Sequence, residues 1–300
     1  MNPLVSIIIP TRNRAKLLPR ALKSILAQTY NNFECIVIDG QSTDNTKEVV
    51  AEINDARIKY QVQKVMKNGA TATNEGIAEA KGKYIAFLDD DDEWLSGKLE
   101  KQVNYFEQLP EKIGLIYHWM DYYDSQTGVL LQEIHPALKG YIFPSVLADE
   151  AIGGTPTYLV RKSVFDKIGG FDTNLVFGDD GEFIRRVAKD YEIDFIPAVL
   201  AKIYINHEYI RQSDVSIDSY NDAINASLYI FNKYKSDFNL FPKIKSIFLT
   251  KLAWFYALNG DFIKYLYYSF YATYTHPFSL GKYKRILRGL NLFIRKRKQG

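Results

Sequence analysis

The chain has 300 residues, 47% hydrophobic and 24% charged, which is enough for a packed α/β core and excludes a globally disordered polymer. The net charge of +3 conceals a division. Residues 1–220 carry 24 Lys/Arg and 32 Asp/Glu, whereas residues 221–300 carry 14 Lys/Arg and 3 Asp. The only cysteine, Cys35, lies in an apolar run and reads as a small core residue, so no intrachain disulfide is expected. The first ten residues lack a basic start followed by a long apolar run, which predicts no signal peptide. No uninterrupted apolar 18-residue segment occurs, which predicts no spanning helix.

The elements alternate from the start. Val5 to Ile9 is nearly continuously apolar and ends at Pro10, as a strand buried on both faces would. Leu18, Ala21, Leu22, Ile25 and Leu26 follow at helical spacing. Phe33 to Ile38 reads as a second strand. Ser42-Thr43-Asp44 opens a second helix predicted to run to about Asn54. Ile58 to Val62 is a third strand, 70–80 a helix, and Tyr84 to Leu88 a fourth strand. A helix is expected to start near Ser96. This alternation predicts right-handed crossovers and a mostly parallel sheet. Ligands of such sheets bind beyond the carboxyl ends of the strands. Thr11 to Arg14, Asp39 and Asp89 to Asp92 all directly follow predicted strands, so they are expected at one edge.

Further along, Gly114 to Tyr117 reads as a strand and 119–132 as a hairpin. Ser163 to Ile168 and Asp180 to Ala188 read as helices, and Ile193 to Ile196 and Leu200 to Ile205 as two strands. From about 217 the pattern is helical, with 19 aromatic residues in the last 80.

Asp89-Asp90-Asp91-Asp92-Glu93 is the densest chemical signal. Carboxylates so placed repel one another unless a cation joins them, and their oxygens suit Mg²⁺ or Mn²⁺ bridging to a phosphate. Asp91 and Asp89 are the candidates for metal and ribose, with Asp92 holding the loop or a basic side chain. The alternative is a solvated acidic turn that caps a helix. Asp39, alone at the end of the second strand, is suited to accept the N3–H of a uracil or thymine ring, or else to bond its own loop. Arg12 and Arg14 bring positive charge toward a diphosphate or the aspartates, or are ordinary surface residues. Asp180, in Gly178-Asp179-Asp180-Gly181-Glu182, is either a helix cap or a base for an acceptor hydroxyl.

Four stretches carry a resemblance to a known family. They are Val5 to Arg14, Ile38 to Asp44, Asn74 to Ile77 with Lys81 to Asp92, and Gly169-Gly170-Phe171 with Asp179-Asp180. Together, in this order, they resemble the inverting family 2 glycosyltransferases of the GT-A fold, over about residues 4–210. The resemblance implies a GT-A, Rossmann-like α/β catalytic domain over 1–215. Its nucleotide-sugar half would be 1–110, its acceptor half 111–215, and 216–300 a helical extension. It implies Asp91 as metal ligand, Asp89 or Asp90 at the ribose, and Asp39 at the base, with Thr11, Arg12 and Arg14 near the nucleotide. Asp180 is implied as the catalytic base, with Asp179 and His207 as secondary candidates, His207 near the diphosphate. Three positions depart from the family pattern: Gly40, Thr73 and Asp179 stand where aspartate, arginine and glutamate are usual. Thr73 cannot bind a phosphate as an arginine there would, so Lys67 or an arginine near the start would take that role.

The implied reaction moves a sugar from a nucleoside-diphosphate donor, UDP-sugar favoured, to a hydroxyl of a glycan or lipid-linked glycan. Mg²⁺ or Mn²⁺ assists, and configuration inverts. A sugar-phosphate nucleotidyltransferase is the alternative enzyme, but Thr11 to Arg14 lacks the glycine-rich loop it would need. A catalytically silent sugar- or membrane-binding subunit is the non-enzymatic alternative. Residues 282–298 hold eight Lys/Arg and no acid among apolar residues, which suits an anionic membrane surface. Tyr265, Tyr267, Tyr268, Phe270, Tyr271 and Tyr274 suit an interfacial position. The alternative is that these aromatics pack among helices. Nucleic acid binding has no supporting motif. The expected location is the cytoplasm, peripheral on the inner face of the plasma membrane.

Overall fold

The computed structural model describes residues 2–148, 150–209, 217–278 and 280–299; for 217–219, 280, 282 and 293–299 only the backbone course is described. The chain divides into two compact units. The first comprises 1–142, 151–174 and 183–210, and the second 143–150, 175–182 and 211–300.

The elements of the first unit begin with β1 (Val5–Thr11), α1 (Leu18–Leu26), β2 (Phe33–Asp39), α2 (Thr46–Ala51) and β3 (Ile58–Val62). α3 (Gly69–Glu79), β4 (Tyr84–Phe87), β5 (Glu93–Trp94), α4 (Lys98–Phe106), β6 (Ile113–Asp124) and β7 (Leu130–Ile134) follow. α5 (Phe143–Leu147) belongs to the second unit, and β8 (Leu159–Arg161) and α6 (Lys162–Ile168) to the first. α7 (Asp179–Asp190) begins in the second unit and continues in the first, which then closes with β9 (Glu192–Ile205).

One nine-stranded sheet runs β3-β2-β1-β4-β8-β6-β9-β5, with β7 on β6. The pairs β2–β3, β1–β2 and β1–β4 are parallel, as the alternating pattern predicts. Beyond β4 the sheet is mixed: β8 is antiparallel to β4 and β6, β6 and β9 are parallel, and β5 runs against β9. β2 is buried throughout, with Cys35 in the core, and only Pro10 of β1 is not. Pro10 has no N–H to donate, and it sits where the β1–β4 ladder has already ended at Ile8 and Phe87.

α3 lies close on β1. A Cβ on Gly76 would stand 2.6 Å from Cγ2 of Ile8, so only glycine lets helix and strand approach this far. Asn74 on the same helix grips the Gly169-Gly170-Phe171 turn. Its Oδ1 accepts the Phe171 N–H at 2.7 Å and its amide donates to the Phe171 carbonyl at 2.8 Å. Two of the four motif stretches thus hold each other.

Four expectations change. The second helix starts at Thr46 rather than Ser42, because the earlier polar groups are engaged elsewhere: Ser42 donates to Asp39, Thr43 N–H to Asn13, and the Asp44 carboxylate accepts from Thr46. The fourth helix starts at Lys98, after Gly97 in the left-handed region (φ +81°). The strands expected at 193–196 and 200–205 are one strand, β9, whose pairing with β6 shifts around Pro197 and Ala198, a bulge that accommodates the proline. Likewise Gly114 to Tyr117 and the first arm of the hairpin are a single strand, β6.

The second unit contains α8 (Ile217–Lys233), α9 (Lys235–Leu240), α10 (Pro242–Asn259), α11 (Phe262–Thr275) and α12 (Leu280–Gln299). α10 packs on α8, α11 and α12. Its core includes Ile224, Leu252, Ala253, Tyr256, Ala257 and Tyr265. Gly260 (φ +85°) ends α10, and the Asp261 side chain caps α11 by accepting from Lys264 N–H. Among the described residues, no helix is long and apolar enough to cross a membrane.

Candidate active site at the carboxyl ends of the strands

β1, β2 and β4 are parallel and in register, so the segments leaving Thr11, Asp39 and Phe87 emerge at one edge. The first two loops are stitched together. Asn13, at φ +53°, accepts the Thr43 N–H (2.7 Å) and donates its own N–H to Ser42 Oγ (2.8 Å). Asp44 Oδ2 accepts the Ala15 N–H.

Asp39 is 2% exposed. Its Oδ1 accepts the Ser42 N–H at 2.9 Å and the Ser42 hydroxyl at 2.5 Å, and its Oδ2 accepts the Tyr60 hydroxyl. A carboxylate has about four acceptor positions, so these three bonds leave one. Tyr60 was not singled out from sequence. Its signal was its place on β3, one strand from Asp39, visible only once the register is known.

The acidic run packs inward. Asp90, Asp91 and Asp92 are buried. Arg14 Nη1 reaches Asp90 Oδ1 and Asp91 Oδ2, both at 2.9 Å. His207 Nε2 meets Asp91 Oδ2 at 2.8 Å, with both side chains 3% exposed. Arg20 donates to the Asp91 carbonyl and lies 3.8 Å above the Tyr204 ring. Asp92 Oδ1 accepts the Tyr204 N–H at 2.9 Å. Burial pushes Asp90 up to about 6; Arg14 and Thr11 oppose the shift and Asp91 adds to it. For Arg14, burial works against the charged form, but Asp90 and Asp91 outweigh it and raise its pKa. Nothing local marks Arg20, which sits in the first turn of α1 beyond the motif stretches.

Asp89, Asp91 and Asp92 each offer an oxygen within 4.8 Å of the others. Three hard oxygen donors at this spacing fit a divalent cation of the Mg²⁺ or Mn²⁺ kind.

The structure therefore brings Thr11, Arg14, Asp90, Asp91 and His207 together directly, with Asp89 at the same strand end. Arg12 is exposed on the β1 loop, its side chain beside Gly40. Lys67 is exposed before α3, where its ammonium meets the Thr173 hydroxyl at 3.3 Å. Asp179 and Asp180 lie in the second unit, in the first turn of α7; Asp180 Oδ1 accepts the Gly181 N–H at 2.7 Å. Glu182, next on that turn, is buried and bonded to Tyr234 and Lys233.

Parallel strands that deliver carboxylates and basic groups to one edge place the ligand site of an α/β protein there. Residues 6–169 match the glycosyl transferase family 2 model. An uncharacterised glycosyltransferase of Rickettsia prowazekii is 32% identical over 233 residues, covering 75% of this chain and 68% of that protein. The Escherichia coli UDP-Glc:alpha-D-GlcNAc-diphosphoundecaprenol beta-1,3-glucosyltransferase WfgD is 41% identical over 114 residues, 38% of this chain and 44% of its own. A Rickettsia conorii relative, 33% identical, matches 79% of this chain, which spans 39% of that protein's length. Among solved structures, S. aureus TarS 1–349 in complex with UDP-GlcNAc superposes with a TM-score of 0.61 at 19% identity, covering 97% of this chain and 80% of that one. A Pyrobaculum calidifontis mannosyltransferase in complex with GDP-Man and Mn²⁺ gives 0.61 at 18%, covering 98% and 81%. The chain belongs to glycosyl transferase family 2.

Proposed function

We propose that the chain transfers a sugar from a nucleoside-diphosphate donor to a hydroxyl of a glycan or lipid-linked glycan. The observation that carries this reading is the contact of Arg14 and His207 with the buried Asp90 and Asp91, together with oxygens of Asp89, Asp91 and Asp92 within 4.8 Å of one another. Two related folds were solved with nucleotide-sugars, one of them with Mn²⁺. WfgD is named for UDP-glucose and a diphosphoundecaprenol-linked acceptor. A UDP-sugar is favoured here because the last acceptor position on Asp39 suits the N3–H of uracil.

Asp91 would hold the cation with help from its neighbours, and Asp89 or Asp90 contacts the ribose. Mg²⁺ or Mn²⁺, when bound, neutralises charge on the diphosphate. Thr11, Arg12 and Arg14 serve the nucleotide side; Lys67 supplies the phosphate-binding cation that Thr73 does not. Asp180 takes the acceptor's hydroxyl proton as the new C–O bond forms at the anomeric carbon. The old C–O bond breaks with its electrons going to the diphosphate, and configuration inverts. His207 and Asp179 are auxiliary. Residues 1–215 form the catalytic domain, divided near 110, and 216–300 a helical extension. Its basic stretch 282–298 meets an anionic membrane surface at the cytoplasmic face; the side chains of 293–298 lie outside the described residues.

Thermal-shift titration with UDP-, dTDP- and GDP-sugars, with and without Mn²⁺, tests this reading. A UDP-sugar with Mn²⁺ is expected to raise Tm, and Asp91→Asn to abolish the metal-dependent part. Absence of any nucleotide-sugar stabilisation, with or without Mn²⁺, overturns it.

A further inference from the structure

Helix α11 presents two different faces. Tyr265, Ser269 and Ala272 are buried within the second unit. Tyr265 is anchored there: its hydroxyl donates to the Ile286 carbonyl of α12, and its ring packs where a Cβ on Gly289 would stand. Of the two readings of Tyr265, interfacial or packed among helices, the second holds. The opposite face carries Ile263 (80% exposed), Leu266, Tyr267, Phe270 (73%) and Tyr274 (78%). These positions recur every three or four residues and so form one stripe. Phe278, just beyond the helix, is also exposed. Lys264 is the only charged residue within α11. A water-facing helix ordinarily carries its charges on this side; here that side is aromatic and aliphatic.

The charge around the stripe selects the occupant. Residues 261–300 contain nine Lys/Arg and one acid, Asp261, which caps α11 and pairs with Lys264 at 3.6 Å. Lys284, Arg285 and Arg288 on α12 are exposed. A second copy docking on the stripe would bring two strongly basic hairpins together, and like charge opposes that. An anionic bilayer satisfies both properties: its headgroups meet the cations, and its interface takes tyrosine and phenylalanine side chains.

We infer that the α11 stripe is a membrane-insertion face, seating Ile263, Tyr267, Phe270 and Tyr274 in the interface of an anionic bilayer. This extends the membrane reading of 282–298 to a different element. It rests on that reading only for the sign of the lipid charge.

Flotation of the full chain with vesicles of phosphatidylcholine alone, or with 30% (about one lipid in three) phosphatidylglycerol, tests it. The chain is expected to float with the anionic vesicles. The double change Phe270→Ser with Tyr274→Ser adds no charge and alters only exposed positions, so circular dichroism and Tm should match the parent. It is expected to lower partitioning at least about tenfold. In a Tyr267→Trp variant, emission is expected to shift to the blue on binding and to be quenched by brominated acyl chains. Binding of the serine variant at parental strength, or a bound but unquenched Trp at 267, overturns insertion by α11 while leaving the basic tail as the anchor. A concentration-dependent dimer that the serine changes dissolve assigns the stripe to a second copy and overturns the proposal. Failure of the parent to bind any vesicle overturns both membrane readings, and donor titration of the same preparation reports separately on transfer.

Discussion

Asp91 shows how much a single residue's environment changes its meaning. In the sequence it is one of five adjacent acids; in the fold it is buried and bonded to both Arg14 and His207. His207 comes from 116 positions away, a distance no local pattern spans. Asp39 is similar: its type and place at a strand end were legible, but Ser42 and Tyr60, which leave it a single acceptor position, were not. For Asp180 the proposed role and the local role are separable. Asparagine keeps an oxygen for the Gly181 N–H, so Asp180→Asn retains the helix start but cannot take a proton. Turnover is expected to fall at least about 100-fold, with calorimetric donor binding nearly unchanged. Near-normal turnover would remove Asp180 as the base.

At the scale of elements, the apolar period located β1, β2, β4 and α1 within a residue or two, because each buries a face against neighbours; β3, half-buried at the sheet edge, was located by its short alternating run. It misjudged the start of α2 and split β9, because side-chain bonds from another loop and a bulge opposite Trp119 decided those points. α3 depends on a cap the pattern did not emphasise. Asn68 accepts from the Thr71 N–H (3.0 Å) and hydroxyl (2.8 Å), and its amide donates to the Thr173 carbonyl (3.1 Å). Asn68→Ala is expected to cost about 1–2 kcal/mol in urea unfolding. A change below a few tenths would show the cap to be replaceable by water.

At the scale of the whole molecule, the first unit carries buried basic groups that make its stability depend on pH. Lys98 is fully buried, its Nζ 3.5 Å above the Trp94 ring, and His118 Nε2 has no hydrogen-bond partner among the described residues. Burial, with Lys98 nearby, lowers the His118 pKa to about 3, against an opposing bond to the Trp119 carbonyl. Burial likewise takes Lys98 well below its ordinary value. A base with a lowered native pKa binds its proton mainly in the unfolded chain. The His118 contribution is therefore intact above the ordinary histidine pKa of about 6.5 and is lost as pH falls from there toward 3. The loss is at most about 1.4 kcal/mol per pH unit. His118→Gln is expected to flatten the dependence of unfolding free energy on pH in that window. An unchanged slope in denaturant titrations at pH 4, 5 and 6 would assign the acid sensitivity to other groups.

The amino-acid sequence alone determined the strand–helix alternation, the parallel half of the sheet, the family likeness and the acidic run at a strand end. Each of these is written in residues close together, through apolar period or a short motif. Only the tertiary structure decided which cations face Asp90 and Asp91, which hydroxyls occupy Asp39, and which side of α11 is left uncovered. Those are outcomes of register and packing between segments tens to more than a hundred positions apart, where pairing depends on how the whole chain closes its core.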